Sequence, residues 1–277
     1  MNTLAMALLV LALVAYAGAS AVFLVHLSMP RVALATNGLR VFAAGLVLHL
    51  FGKTLRFVEI GAFPVTDALE GLNFLALVLG AVFLVVARRY DVPVLGAFAA
   101  PIAAVTLAAS LAFGAATGAV PDALRSAWFP VHLGFAISAD ALFAVAGAAA
   151  LAYLLQERLL RQKKLASTIF RKLPPLHVLD EVMHRLIVVG WAAMSFGILC
   201  GMFFAKQKWG AYWSWDPKQT WSFITWLLFA AILHARLLVG WQGRRAAALT
   251  VASVVLVLLA FVFLGDATST RHTGDYS

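Results

Sequence analysis

Charge is scarce in this sequence. Lys, Arg, Asp and Glu make up 12% of its 277 residues, against about 25% in an ordinary soluble domain. Together with a hydrophobic share of 63% and a mean hydropathy of +0.93, that deficit excludes a soluble globular chain. Cysteine is nearly missing too. The single residue, Cys200, rules out an internal disulfide, a Cys-x-x-Cys relay and a Cys-x-x-Cys-His motif, and reads as a small packing residue. Strands alternating apolar and polar residues are absent, which argues against a membrane barrel.

What is present is a series of apolar runs, each long enough to cross a hydrocarbon core of ~30 Å as a helix. Eight spans are expected, near 4–27, 34–52, 70–88, 92–113, 131–155, 182–204, 218–238 and 246–265. The predicted fold is all-α, a single polytopic membrane domain over 1–277. The first run follows Met1-Asn2-Thr3 without a basic stretch, so it reads as a span and not as a cleaved leader.

Basic residues exceed acidic ones, 21 to 12, for a net charge of +9. Their distribution argues against a nucleic-acid partner. With eight spans, the connections after the odd-numbered ones and their flanks hold fourteen of the 21 Lys and Arg. The positive-inside rule puts that set in the cytoplasm, with both termini and the 206–217 connection outside. A multi-pass protein of the bacterial inner (plasma) membrane is expected. The longest cytoplasmic connection, 157–181, is basic, and is expected to form an amphipathic helix on anionic lipid.

The densest signal is Trp209–Trp226, WGAYWSWDPKQTWSFITW, with five of the eight tryptophans. An interfacial belt accounts for two or three indoles. Trp221 and Trp226 fall inside a span and are assigned to packing, and Asp216-Pro217 reads as a helix start, Asp as cap and Pro in the first turn. The remainder suits a large planar ligand at the membrane surface. Among seven histidines, His132 and His272 share the outer side with this segment, while His234 lies within the membrane about four residues from the inner end of its span. A metal in a planar macrocycle takes a histidine from each side, and imidazole is a common axial ligand of haem iron. Asp140 lies eight residues beyond His132, about 12 Å deeper. An acid at that depth needs a polar partner, with His49 and Asn73 the candidates. Glu70 is expected as a cap or cavity residue, while His26 and His184 sit near inner ends.

The stretch 209–226, with Leu-His-Ala-Arg at 233–236, closely resembles the tryptophan-rich WWD signature of the cytochrome c assembly family, in its CcsA/ResC-type branch of the system II pathway. GAFPVTDALE (61–70), RSAWFPVHL (125–133) and 179–201 agree, so the resemblance covers roughly 60–272. Two features depart from it. The family's Gly-Leu-His-Ser-Tyr near the end is replaced around His272, and position 184 is His where an aromatic is expected.

The resemblance implies that haem b is moved outward as cargo and attached covalently to Cys-x-x-Cys-His apocytochromes c. The chain would then be a subunit of a holocytochrome c synthase (haem lyase) and haem transporter. It implies His132 and His272 as axial ligands of an outer haem and His234 as a ligand of an inner one, whose second ligand belongs to a separate ResB/Ccs1-type membrane protein. Trp209, Tyr212, Trp213, Trp215 and Asp216 would border the outer macrocycle, with Lys206 and Lys208 near its propionates. Two other readings compete: a system I-like protein loading a haem chaperone, and a non-haem transporter whose tryptophans are only a belt.

Overall fold

The computed structural model describes residues 2–29, 32–65, 68–112 and 126–266, and the apolar runs within them form helices. In chain order these are α1 (Thr3–Ser28), α2 (Val32–Ile60), α3 (Ala68–Arg89), α4 (Gly96–Ala112, entered through a 3-10 turn at Pro93–Leu95), α5 (Trp128–Arg161), α6 (Thr168–Lys172), α7 (Leu176–Trp209), α8 (Pro217–Leu237) and α9 (Arg244–Asp266). The described residues contain no strand. Among the described residues seven helices, α1 to α5 with α7 and α8, have the length and apolarity to cross a membrane, and the eighth expected span falls within α9. The chain is a polytopic all-α membrane protein, the solution lipid favours because a helix satisfies its backbone within itself.

Several helices overrun the expected spans. The second span is expected to end at 52, but α2 runs on to Ile60, because the polar residues of the added turns find partners. Lys53 Nζ donates to the Pro64 carbonyl at 2.5 Å, and Arg56 Nε donates to Glu70 Oε1 of α3 at 2.9 Å. One turn earlier His49 joins its Nε2 to Asn73 Oδ1 at 3.0 Å and its Nδ1 to the Tyr16 hydroxyl at 3.3 Å. Tyr16, His49, Lys53, Arg56, Glu70 and Asn73 are all buried, so a polar seam joins α1, α2 and α3 within an apolar bundle. Such groups are tolerated at depth only when paired.

α5 and α7 each run 34 residues, about 51 Å at 1.5 Å per residue. They absorb the two ends of the expected 157–181 connection, up to Arg161 and from Leu176 on. What remains carries only the five-residue α6, too short for the predicted amphipathic helix. Lys172 on α6 closes the end of α1 instead, its ammonium meeting the His26 and Met29 carbonyls and His26 Nδ1. Desolvation holds that ammonium below its ordinary pKa.

α5 is the most buried of the seven candidate spans and α8 the least. α5 packs along α7 and also meets α3 and α9. Small residues permit the close approach. A Cβ on Gly197 would stand 3.1 Å from the Ala136 nitrogen, and one on Gly190 2.7 Å from the Phe143 ring. Phe143 in turn stacks on Phe229 of α8 with centroids 3.6 Å apart.

Candidate functional site at the tryptophan end

The tryptophan segment is the turn between α7 and α8. Gly210 ends α7 with a left-handed φ of 73°, its N–H reaching the Lys206 carbonyl, a conformation only glycine adopts without penalty. Asp216 begins α8 as the sequence indicates: Oδ1 accepts from the Lys218 and Gln219 amides at 2.9 and 3.1 Å, with Pro217 in the first turn. Ser214 ties the turn shut, its N–H donating to Gln219 Oε1 at 2.8 Å and its hydroxyl to Asp216 Oδ2 at 3.3 Å. Asp216 is buried, so its carboxylate serves the backbone.

The indoles divide by role. Trp209 packs edge-on against Phe204, in an aromatic cluster with Phe129 and Phe63. Trp226 stacks on Trp191 of α7 at 5.2 Å and donates Nε1–H to Ser195 Oγ at 2.8 Å, in agreement with its assignment to packing. Trp213 meets Trp215 edge-on at 5.7 Å, and its buried Nε1–H has no acceptor among the described residues. Trp215 is held at φ 56° and is 69% exposed. A bulky residue in the left-handed region is a genuine outlier. The turn therefore uses strain to hold an indole out of the protein.

His132 lies one turn into α5, against α7. Its Nδ1 is 2.8 Å from the Gly197 carbonyl. A carbonyl only accepts, so Nδ1 carries a proton, and in the neutral ring the lone pair is then on Nε2. A hydrogen bond of this kind, on the ring nitrogen away from the metal, fixes the tautomer of a metal-binding imidazole. Gly201, one turn beyond Gly197, lies flat under the same ring: a Cβ there would come within 2.7 Å of Nδ1. The sequence reading missed this seat, although Gly197-x-x-x-Gly201 is a visible small-residue signature for close helix packing. Trp128, one turn before His132, stacks on Phe203 at 5.3 Å. Phe203, Leu199, Met202 and Tyr212 line an open apolar cleft. Lys206 lies 5.4 Å from the Tyr212 ring centroid and donates to the Gly210 carbonyl. Lys208 is exposed, and His272 lies outside the described residues.

The remaining candidates sit elsewhere. His234 is near the far end of α8, exposed, and its ring makes no hydrogen bond among the described residues. His184 faces the α7–α8 seam near Asp180 and Arg236, its buried Nδ1 without a partner among the described residues. Asp140 does not meet the expected His49 or Asn73, because those two pair with each other. Glu70 is an ion-pair partner of Arg56 at the start of α3.

The profile of a family described as cytochrome C assembly protein matches residues 65–267. Among named relatives, the cytochrome c biogenesis protein CcsA of Parasynechococcus marenigrum strain WH8102 is 35% identical over 233 residues, covering 75% of this chain and 76% of its own. The CcsA of Synechococcus sp. strain CC9902 is 34% identical over the same length, with the same coverage of each chain. That of Prochlorococcus marinus strain MIT 9303 is 32% identical over 237 residues, covering 75% of this chain and 74% of its own.

Proposed function

This chain belongs to the cytochrome c assembly protein family, and on that premise we propose that it presents haem b beneath the tryptophan segment for covalent attachment to Cys-x-x-Cys-His apocytochromes c. The observation that carries this reading is the bond from His132 Nδ1–H to the Gly197 carbonyl, the arrangement by which a metal-binding imidazole is oriented to ligate through Nε2. His272 is the second axial ligand of that site. The projecting Trp215 covers part of the macrocycle, and the unsatisfied Trp213 N–H is a donor suited to a propionate. The segment faces the periplasm.

His234 holds haem at the inner end of its path. Its exposure on the outer face of α8 supports a second ligand from another chain, a ResB/Ccs1-type membrane protein. At the tryptophan end the apocytochrome's own histidine replaces one axial ligand. Each cysteine S–H then adds across a haem vinyl group. A C–S bond forms at one vinyl carbon, the hydrogen passes to the other, and no electron is lost or gained. The thiols belong to the substrate; this chain contributes position and an axial-ligand field.

Two measurements test the reading. The complex purified with its membrane partner shows a Soret band, and cells lacking this chain accumulate apocytochrome without covalent haem. A colourless complex, or normal maturation without the chain, overturns the proposal. A finer prediction concerns Gly201→Ala, whose methyl pushes on the His132 ring. Haem affinity at the tryptophan end falls about tenfold, the scale of damage caused by disturbing the residues that orient a metal ligand, while Cys200→Ala, a neighbouring change in α7, leaves the spectrum unaltered.

A further inference from the structure

At the end of the bundle opposite the tryptophan segment, three elements are tied by one carboxylate. Asp180, in the first turns of α7, takes Arg236 of α8 as a bidentate pair, Nη1 to Oδ1 at 3.0 Å and Nη2 to Oδ2 at 2.7 Å. Oδ1 also accepts the Gly243 amide at 3.2 Å, in the turn between α8 and α9. The Arg236 side chain is 7% exposed and that of Asp180 19%. Gly243 has φ 64°, and a Cβ there would meet the Tyr153 hydroxyl of α5 at 2.7 Å, so the turn fits only without a side chain. Arg–carboxylate forks are strong and directional, and a buried pair is costly to break because the survivor is left as a bare charge.

The buried face of α8 carries Thr225, Phe229, Ile232, Leu233 and Arg236. His234 is two residues before Arg236, hence about 200° around the helix at roughly 100° per residue, and it is exposed. Drawing Arg236 into the α7 seam therefore aims His234 away from the bundle. We propose that the Asp180–Arg236–Gly243 knot is a positioning device that fixes the rotation of α8, so that His234 faces outward to an iron completed by a ligand from another chain. This rests on His234 being a haem ligand. It also separates His184 from that iron: His184 points into the seam, on the opposite side of α8.

The test uses the complex purified from membranes in a His132→Ala background, so that haem absorbance reports the far end alone. Asp180→Asn lowers haem per complex at least fivefold, and Asp180→Glu restores most of it. Added imidazole restores it in Asp180→Asn, since a free ligand needs no helix to aim it. If Asp180→Asn keeps full haem, or if imidazole fails to recover it, the knot does not position His234 and the inference is overturned. His234→Ala is the control for the underlying reading. Haem retained in that variant removes His234 as a ligand, whatever Asp180 does; haem lost there but kept in Asp180→Asn defeats the knot alone.

Discussion

His132→Ala abolishes haem capture at the tryptophan end and lowers cytochrome c maturation by at least about 100-fold, beyond the roughly 10–100-fold that disturbing a ligand's supporting residues costs a metal site. The protein itself stays folded. The His132 bond to a helix carbonyl is worth about 1 kcal/mol, and its ring rests on a glycine rather than filling a core cavity. Two companion variants isolate the iron bond. His132→Asn keeps a donor for the Gly197 carbonyl yet matures no cytochrome. His132→Gly opens a slot that added imidazole fills, recovering the share of Soret absorbance lost from the tryptophan end. Wild-type haem content and maturation in His132→Ala would remove the central ligand from the proposal.

Trp215→Gly separates strain from stacking. The left-handed backbone costs a non-glycine residue about 1–3 kcal/mol, and glycine removes that cost, so thermal unfolding of the variant occurs at the same temperature as wild type or higher. Haem retention moves the other way. An indole face covering ~100 Å² at about 25 cal/mol/Å² is worth ~2.5 kcal/mol, roughly a 70-fold loss of affinity. Trp215→Ala loses the same affinity without the gain in stability. If Trp215→Gly retains haem as wild type does, the indole is an interfacial anchor and nothing more.

The spans were legible because lipid demands long apolar helices, and Asp216-Pro217 declared the start of α8 by local capping chemistry. Trp226 reads as packing because it falls two turns into a span, and its bond to Ser195 agrees. Less legible were features made between elements. Lys53 and Arg56 look like loop residues until Pro64 and Glu70 are seen beside them. Asp180 looks like one charge in a basic connection until Arg236, 56 residues away, closes on it. The seat of His132 lay between these cases, since its glycine spacing was written in the sequence while its partner was 65 residues distant.

The polar seam of the first three helices bears on how the chain enters the membrane. Lys53 and Arg56 are made before Pro64 and Glu70, which add to their pairing; until then Arg56 has Glu59 of its own helix, 3.4 Å away. A lone cation at mid-helix costs about 2.5–3.5 kcal/mol on insertion scales, less toward a helix end. The favourable route keeps α2 at the mouth of the insertion machinery until α3 arrives, releasing both as a paired hairpin with α1 already waiting to offer Tyr16. The buried pair of Arg56 and Glu70 thus favours an order of insertion, α2 with α3, as well as a fold.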